Sequence, residues 1–171
     1  MVDYSIVLIG FMGTGKSTVA KVLSKQLNLE LIDTDKSIEK KTGLTISEIF
    51  EKYGEKGFRD IETDIIKDLK DKKEKIISCG GGVCLRDENI KNLKTNHRVI
   101  LLEASARVIL ERIKDDDTRP ILKDKTDIES VEMIMKRRKA SYQKCADLII
   151  DTDEKSVEKI VDEIIEKLNI K

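Results

Sequence analysis

The chain has 171 residues, and its 33 Lys and Arg balance its 33 Asp and Glu, so the formal net charge is zero. With nine glycines, one proline and three cysteines, it falls outside the collagen-like, low-complexity and disulfide-scaffold classes. The neutral balance disfavours a general binder of nucleic acid or anionic membrane, and the length favours one compact domain over residues 1–171.

The predicted elements alternate between apolar strands and helices with one apolar face. In chain order they begin with a strand at Tyr4–Ile9, a helix from Lys16, a strand at Leu29–Ile32, a helix opened by a capping box at Thr45 and Glu48 and ending near Tyr53, a helix carrying Phe58 to Leu69, and a strand at Lys75–Ser78. They continue with a strand at Arg98–Leu102, a helix from Ser105 to about Lys114, a long helix ending near Cys145, a strand at Leu148–Ile150, and a helix from Val157 to Leu168. Strands separated by helices predict a parallel sheet covered on both faces, a doubly wound three-layer α/β/α fold.

One polar segment interrupts this alternation. Asp115–Asp127 lacks an apolar stripe and holds the only proline, Pro120. Such a composition is typical of a loop, and we expect this loop to be mobile. Arg119 precedes the proline, and an arginine on a mobile loop could close over phosphate groups. The alternative is that Arg119 is an ordinary loop charge.

The strongest motif follows the first predicted strand. Residues 10–17 read Gly-Phe-Met-Gly-Thr-Gly-Lys-Ser, which matches the phosphate-binding pattern G-x-x-x-x-G-K-[ST] between a strand and a helix. Glycines such as Gly13 and Gly15 let backbone N–H groups turn inward, and a helix N-terminus attracts anions. Lys16 can reach the β- and γ-phosphates, and the Ser17 hydroxyl can ligate Mg²⁺. The motif predicts binding of a nucleoside triphosphate, but not which one or what is done with it.

Two aspartates follow the second predicted strand, at the sheet edge where parallel α/β proteins bind ligands. Asp33 and Asp35 are two residues apart, so on a strand both carboxylates would project to the same side. One could hold Mg²⁺ while the other accepts a proton from a substrate hydroxyl. The alternative is that Asp35 caps a helix over Lys36–Lys41.

An ion pair and a glycine triplet are candidates for binding a small ligand. Arg59 and Glu62 are three residues apart on a predicted helix and can pair. An arginine oriented in this way suits a ligand carboxylate, although a plain surface ion pair is the alternative. Gly80, Gly81 and Gly82 directly follow the third predicted strand. They would let a ligand approach the backbone closely, or they form a flexible turn.

Arg138 lies inside the apolar stripe of the long helix that ends near Cys145. The members of this stripe are spaced four and three residues apart, and they are Val131, Met135, Arg138, Tyr142 and Cys145. A charged group on a face that packs against the protein needs a partner or a ligand. We therefore expect Arg138 to contact a ligand.

In their order along the chain, these motifs resemble those of the shikimate kinase family. The resemblance covers essentially the whole chain and is carried by Gly10–Thr18, Asp33-Thr34-Asp35, Phe58–Glu62, Gly80–Gly82, Arg119–Leu122 and Arg138 before Tyr142. It implies a P-loop kinase fold, with a five-stranded parallel sheet in the order 2-3-1-4-5 and a mobile lid at about 114–127. It also implies Mg²⁺-dependent transfer of phosphate from ATP to the 3-hydroxyl of shikimate, giving shikimate 3-phosphate and ADP on the route to chorismate and the aromatic amino acids.

The resemblance assigns a role to each matched residue, with the substrate-binding segment at about 33–62. The catalytic set is Lys16, Asp35 and Arg119, and the metal ligands are Ser17 and Asp33. The nucleotide-binding set is Gly13, Thr14, Gly15, Lys16, Ser17, Thr18, Arg112 and Arg119, in which Arg112 corresponds to the residue that stacks on adenine. The substrate-binding set is Asp35, Arg59, Gly80, Gly81, Gly82 and Arg138, with Glu62 orienting Arg59.

Other functions remain open at the level of sequence. One alternative is another small-molecule P-loop kinase, such as a gluconate or nucleotide kinase. A second is a guanine-nucleotide switch or non-catalytic nucleotide-binding module, which the absence of an Asn-Lys-x-Asp or Thr-Lys-x-Asp motif disfavours. With no basic leader and no cysteine pair at zinc spacing, we expect a cytoplasmic monomer with reduced thiols. Its partners would be ATP and shikimate, and neither nucleic acid nor membrane.

Overall fold

The computed structural model describes residues 2–113 and 127–170. Most of the expected lid, including Arg119, lies outside the described residues. Asp127, at the end of the expected lid, is described: it caps the following helix, and its side chain accepts a hydrogen bond from the Ser130 backbone N–H at 2.8 Å.

A five-stranded parallel sheet forms the centre of the molecule. Its strands are β1 at Ser5–Ile9, β2 at Glu30–Asp33, β3 at Lys75–Ser78, β4 at His97–Glu103 and β5 at Leu148–Asp151. They lie in the order β2-β3-β1-β4-β5, and every neighbouring pair is parallel. This confirms the expected sheet. β1 is buried along its whole length, as a central strand covered on both faces must be.

Helices cover both faces of the sheet. They are α1 at Lys16–Leu27, α2 at Thr34–Thr42, α3 at Ile46–Leu69, α4 at Asp87–Leu93, α5 at Ala106–Ile113, α6 at Ile128–Cys145 and α7 at Val157–Lys167. Because side chains alternate along a strand, Ile6 and Leu8 of β1 pack in the core beneath α1 and α7, whereas Val7 and Ile9 pack beneath α3 and α6. Within the described residues, no helix is both long and apolar enough to cross a membrane.

The structure confirms one predicted break between helices and contains short elements that were not predicted. Two helices were expected between Thr45 and Leu69, and this is confirmed, because the non-helical backbone of Gly54 (φ 67°, ψ −178°) divides α3 into two helical segments joined by a kink. α4 and the 3₁₀ turn at Val83–Leu85 were not predicted, and α2 was expected only as the alternative of a helix over Lys36–Lys41. α4 is only seven residues long, and such a short segment gives little periodic signal. The capping box is confirmed, since Glu48 accepts the Thr45 N–H at 2.7 Å.

Candidate active site

A cleft of about 560 Å³ opens at the carboxyl ends of the strands. Each predicted site residue that the structure describes lines it. These are Gly13, Thr14, Gly15, Lys16, Ser17, Thr18, Asp33, Asp35, Arg59, Glu62, Gly80, Gly81, Gly82, Arg112 and Arg138. Parallel strands end at one edge of the sheet, so segments distant in sequence meet there. Arg119 is the one predicted site residue outside the described part of the chain.

The phosphate loop, residues 10–17, joins β1 to α1. Gly13 and Gly15 have φ values of 78° and 92°, in the left-handed region that glycine tolerates best. Gly15 is the residue before α1, and no acidic side chain lies in the first turn of that helix. The helix N-terminus therefore presents its N–H groups and the positive end of its dipole to the cleft.

Lys16 begins α1 and is buried with its ammonium group against the phosphate loop. Its Nζ donates to the carbonyl oxygens of Gly10 at 2.9 Å and Phe11 at 2.8 Å. Thr14 stabilises the same turn, because its hydroxyl donates to the Phe11 carbonyl at 2.8 Å. Ser17 and Thr18 are exposed in the first turn of α1. The loop thus gathers a cation, hydroxyls and backbone donors in one place.

Asp33 and Asp35 both reach the cleft, but not as neighbours on a strand. Asp33 ends β2 and is itself the N-cap of α2, since its Oδ1 accepts the N–H groups of Asp35 at 3.0 Å and Lys36 at 3.2 Å. Asp35 lies in the first turn of that helix. The prediction of a shared strand face was wrong, and the capping residue is Asp33 rather than Asp35. The cap frees the Asp35 side chain to face the cleft.

The surroundings of Asp35 disfavour its charged form. Burial raises the pKa of this carboxyl above its usual value, and the neighbouring charge of Asp33 raises it further. Lys16 opposes both effects by lowering the pKa. A carboxylate with a raised pKa is a stronger proton acceptor than an exposed one. Asp35 therefore has the properties of a general base beside the phosphate loop.

The Arg59–Glu62 pair is buried, not a surface ion pair. Arg59 Nη1 lies 2.8 Å from Glu62 Oε2, and the two side chains are 7% and 0% exposed. Burial raises the pKa of Glu62, while Arg59 lowers it. Glu62 Oε1 and Arg59 Nε are buried without a partner among the described residues. A buried pair with unsatisfied atoms is costly for stability, which favours a role in ligand binding.

Arg138 occupies a comparable position on α6. It is buried, its guanidinium carbon lies 5.6 Å from the ring centre of Phe11, and its Nη1 donates to the Gly81 carbonyl at 3.3 Å. Arg59 likewise stacks on Phe58, at 5.0 Å. Two buried arginines, each resting on an aromatic ring, thus line one cleft. Stacked guanidinium groups keep edge N–H donors available for a carboxylate.

In the glycine triplet, Gly80–Gly82, the first and third residues must be glycine because a side chain would not fit, and not because of their backbone angles. None of the three has a φ in the left-handed region. A Cβ on Gly80 would lie 2.8 Å from Asp35 Oδ1, and one on Gly82 would overlap the Arg59 guanidinium. The sequence predicted that a ligand would approach the triplet backbone closely, but in the structure it is the charged side chains of Asp35 and Arg59 that do so. This approach places both side chains beside one short stretch of backbone.

Arg112 connects two loops at the other end of the cleft. Its Nη1 donates to the Gly13 carbonyl at 3.2 Å, and its Nη2 donates to the Thr152 carbonyl at 3.4 Å. It therefore joins the phosphate loop to the segment after β5. Lys155 and Val157 from that segment also line the cleft. Lys155 and Val157 were not predicted as site residues, because neither belongs to a recognisable sequence motif.

An apolar wall beside the arginines was also missed. It consists of Ile46 and Phe50 in the first turns of α3, together with Phe58 beyond the kink. The Phe50 and Phe58 rings are 4.6 Å apart. The spacing of Ile46 and Phe50 by four residues puts them on one helix face. That spacing was a usable signal, but it is equally typical of a core-facing stripe.

Comparison with known proteins identifies the family. A family model described as shikimate kinase matches residues 12–169. The shikimate kinase of Thermodesulfovibrio yellowstonii is 46% identical over 163 residues, which covers 95% of this chain and 94% of that protein. The Bacillus cereus shikimate kinase is 42% identical over 165 residues, covering 96% and 98%. The chain belongs to the shikimate kinase family.

Solved shikimate kinases share the fold. The Acinetobacter baumannii shikimate kinase, solved in complex with shikimate, aligns with a TM-score of 0.94 at 33% identity, covering 98% of this chain and 94% of that one. The Aquifex aeolicus shikimate kinase aligns with a TM-score of 0.83 at 38% identity, covering 96% of both chains. The resemblance seen in the sequence motifs and the P-loop kinase fold that it implied are thereby confirmed.

Proposed function

We propose that this chain transfers the γ-phosphoryl group of ATP to the 3-hydroxyl of shikimate, as a step towards chorismate and the aromatic amino acids. The observation that carries the proposal is the convergence on the glycine triplet. A Cβ at each position in turn would meet Asp35, approach Arg138 Nη1 at 3.9 Å, and meet Arg59. One short backbone segment is thus surrounded by a candidate base and two candidate carboxylate-binding groups. The family relationship supports the same reaction.

Each part of the cleft would serve one part of the reaction. Arg59 and Arg138 would bind the shikimate carboxylate, and Glu62 would hold the Arg59 fork in place. The phosphate loop and Lys16 would hold the β- and γ-phosphates. Arg119, which lies outside the described residues, would close over the phosphates from the lid. Arg112 would contact the adenine base.

The chemical step would depend mostly on positioning and charge. Asp35 would accept the proton of the 3-hydroxyl as the oxygen attacks phosphorus, and ADP would leave in line. The raised pKa of Asp35 favours proton acceptance. Lys16 and Arg119 would neutralise the negative charge on the transferring group. Lid closure would exclude water, which otherwise competes as the acceptor.

The residues present fit a Mg²⁺ ion bound together with ATP. Mg²⁺ usually takes one or two protein oxygens and completes its shell with phosphates and water. Ser17 offers a hydroxyl beside the phosphate loop, and Asp33 keeps Oδ2 available because only Oδ1 caps α2. When bound, the ion would neutralise phosphate charge. No cluster of three or more acidic, His or Cys side chains suited to a metal occurs in residues 2–113 and 127–170, which agrees with an ion held largely by its nucleotide.

The decisive experiment is a coupled assay of ADP release with a panel of acceptors. Shikimate, quinate, gluconate and nucleoside monophosphates are compared at saturating ATP and Mg²⁺. We expect turnover with shikimate to exceed turnover with the others by at least about 100-fold, since hydrogen-bonding sites reject mismatched ligands strongly. ADP release that does not depend on shikimate would refute the proposal. Preference for gluconate or a nucleotide would establish the alternative kinase class.

A matched pair of variants tests the carboxylate site in the same assay. Arg138→Ala removes a buried arginine of the cleft, whereas Arg137→Ala removes its exposed neighbour on α6. We expect Arg138→Ala to raise the KM for shikimate about 100-fold and to leave the KM for ATP within about twofold. Arg137→Ala should change neither. Equal increases of both KM values for Arg138→Ala would indicate a structural arginine.

A further inference from the structure

The glycine triplet is held by side chains from two different elements. Three consecutive glycines lose more conformational freedom on ordering than any other residues would. Some backbone bonds are local: the Val83 N–H donates to the Gly80 carbonyl at 3.2 Å, and the Leu85 N–H donates to the Gly82 carbonyl at 3.0 Å. Three further bonds come from distant side chains, those of Thr34, Tyr142 and Arg138. Thr34 and Tyr142 make their bonds through hydroxyl groups.

Tyr142 fixes the middle of the triplet. It lies one turn after Arg138 on α6, is 6% exposed, and its hydroxyl donates to the Gly81 carbonyl. Arg138 Nη1 donates to the same oxygen at 3.3 Å, and a carbonyl oxygen can accept two hydrogen bonds. Burial raises the pKa of Tyr142 to about 12. The hydroxyl therefore remains a donor throughout the neutral range.

Thr34 fixes the start of the triplet. It is the residue between Asp33 and Asp35, it is 0% exposed, and its hydroxyl accepts the Gly80 N–H at 3.1 Å. This bond ties the segment that carries Asp35 to the backbone beside it. The spacing matters, because Asp35 Oδ1 would be only 2.8 Å from a Cβ at Gly80. A small shift of the triplet would change that contact.

We propose that Thr34 and Tyr142 are positioning residues that lock the glycine triplet in register with Asp35 and Arg138. The inference rests on the proposed function. In that function, a fixed triplet would keep the acceptor hydroxyl near Asp35 and the shikimate carboxylate near Arg59 and Arg138. Arg138 shares its anchor oxygen with Tyr142. Removing the tyrosine hydroxyl therefore leaves Arg138 as the one remaining side-chain donor to the Gly81 carbonyl among the described residues, so that the triplet is held less tightly.

The alternative is that both side chains only fill the core. Tyr142 belongs to the apolar cluster beneath α3 and α6, so its ring certainly contributes packing. Substitutions that keep the shape and remove only the hydroxyl separate the two roles. Tyr142→Phe retains the ring, and Thr34→Val retains the branched shape. Loss of a buried hydrogen bond to the triplet should then affect shikimate binding more than nucleotide binding.

Each variant has a matched control. Tyr4→Phe removes a hydroxyl at the opposite end of the sheet and keeps the ring on which Arg98 rests. Thr42→Val removes a hydroxyl from the end of α2, where it donates to the Ile38 carbonyl at 2.9 Å. Thr42→Val is the stricter control, since it loses hydrogen bonds on the same helix as Thr34 without touching the triplet.

The first measurement is the kinetic constants and the shikimate Kd of the full-length protein. We expect Tyr142→Phe to raise the KM and Kd for shikimate about 5- to 10-fold and Thr34→Val about 3- to 10-fold. The KM for ATP should stay within about twofold, and both controls should match the unmodified protein in these constants. A shikimate KM within twofold for both variants, or equal changes for ATP and shikimate, would overturn the inference.

The second measurement needs no substrate. Amide hydrogen exchange of the peptide spanning residues 79–85 is followed in ligand-free protein. We expect about 10-fold faster exchange in Thr34→Val and Tyr142→Phe than in the unmodified protein and the controls, and unchanged exchange would overturn the inference. If the unmodified protein shows no shikimate-dependent ADP release, the proposed function fails. If it shows such release but the exchange and KM values of the variants are unchanged, only the lock is wrong.

Discussion

The two glycine clusters of the cleft need glycine for different reasons. In the phosphate loop every glycine has a positive φ, and at Gly15, with a φ of 92°, this is the sole reason, because a Cβ added there would meet nothing within 4 Å. At Gly10 and Gly13 a Cβ would also be too close to the Leu102 carbonyl and the Ile113 side chain. In the triplet the reason is spatial: Gly82 has a φ of −105°, which any residue tolerates, but its Cβ would overlap the Arg59 guanidinium. Positive φ values thus distinguish the phosphate loop, whereas Gly80 and Gly82 of the triplet are glycine only because charged side chains occupy the space.

This difference matches what each half of the cleft would bind. A phosphate chain is recognised by backbone N–H groups and a helix N-terminus, and such a site serves many reactions. A small carboxylated alcohol requires charged side chains at defined positions, and in the proposed function Asp35, Arg59 and Arg138, which line the cleft, would be these side chains. The phosphate loop therefore identifies a class of ligand, whereas the packing around the triplet is what distinguishes one acceptor from another.

The largest expected effect comes from removing the negative charge of Asp35, which lies on the acceptor side of the cleft, the part beside the glycine triplet. Asp35→Asn should lower kcat about 10³-fold, because a positioned general base contributes about 10²- to 10⁴-fold. ATP affinity should remain within about twofold, since the phosphate loop is untouched. The measurement is steady-state ADP release together with binding of ATP. Asp64→Asn, an exposed aspartate on α3, is the control and should retain full turnover. Retained turnover in Asp35→Asn would remove its assigned role.

The next prediction tests whether Gly82 must be glycine because a side chain there would overlap Arg59. Gly82→Ala places a methyl group where the Arg59 guanidinium lies. The guanidinium can move, but only by giving up its 2.8 Å bond to Glu62. We expect kcat/KM for shikimate to fall about 100-fold, with the KM for ATP changed by less than about twofold.

Gly81→Ala is the matched comparison within the triplet. Its Cβ would lie 3.4 Å from the Met12 nitrogen and 3.9 Å from Arg138 Nη1, which are ordinary contacts. It should therefore cost clearly less than Gly82→Ala. Equal losses for the two variants would mean that the triplet needs glycine for flexibility and not for space.

A smaller effect tests the conformational reason for the phosphate loop. Gly15→Ala should lower the free energy of unfolding by about 1–2 kcal/mol, because a side chain at positive φ is strained. The ATP KM should rise about 10-fold, while the shikimate Kd stays unchanged. Gly15→Asn should be milder, since asparagine tolerates the left-handed region better. Thermal unfolding and both binding constants provide the check, and an alanine no worse than asparagine would contradict the strain.

The sequence was sufficient for features that depend on local pattern. The alternation predicted a parallel sheet, the family resemblance implied the strand order, and the phosphate loop is a contiguous motif with its strand and helix. The site residues also came from motifs. Their tertiary setting was predicted less well: Asp33, and not Asp35, is the cap of α2, and the sequence left open whether the Arg59–Glu62 pair is buried or on the surface. Burial and hydrogen-bond partners depend on which elements pack together, which no window of sequence records.

The smallest expected effect is a dependence of the free energy of unfolding on pH that Asp35 causes. Burial, and then the charge of Asp33, raises the folded-state pKa of Asp35 above the ordinary 3.8. Between these two pKa values the folded chain binds more protons than the unfolded chain, so the free energy of unfolding falls as pH rises through that window. Above the window, the charged Asp35 carboxylate makes the fold less stable than a neutral side chain would.

Asp35→Asn should therefore be more stable than the unmodified protein at pH 7, by up to about 1 kcal/mol. The difference should shrink as pH falls towards the ordinary aspartate pKa, because both side chains are then neutral. Denaturant unfolding of the two proteins over this pH range measures it. A difference that stays constant with pH would show that the substitution acts through packing. A difference that grows with pH would show that the charged form of Asp35 lowers the stability of the fold. The acceptor side would then lose stability through a buried charge, whereas the phosphate loop would lose it through backbone strain once Gly15 is replaced.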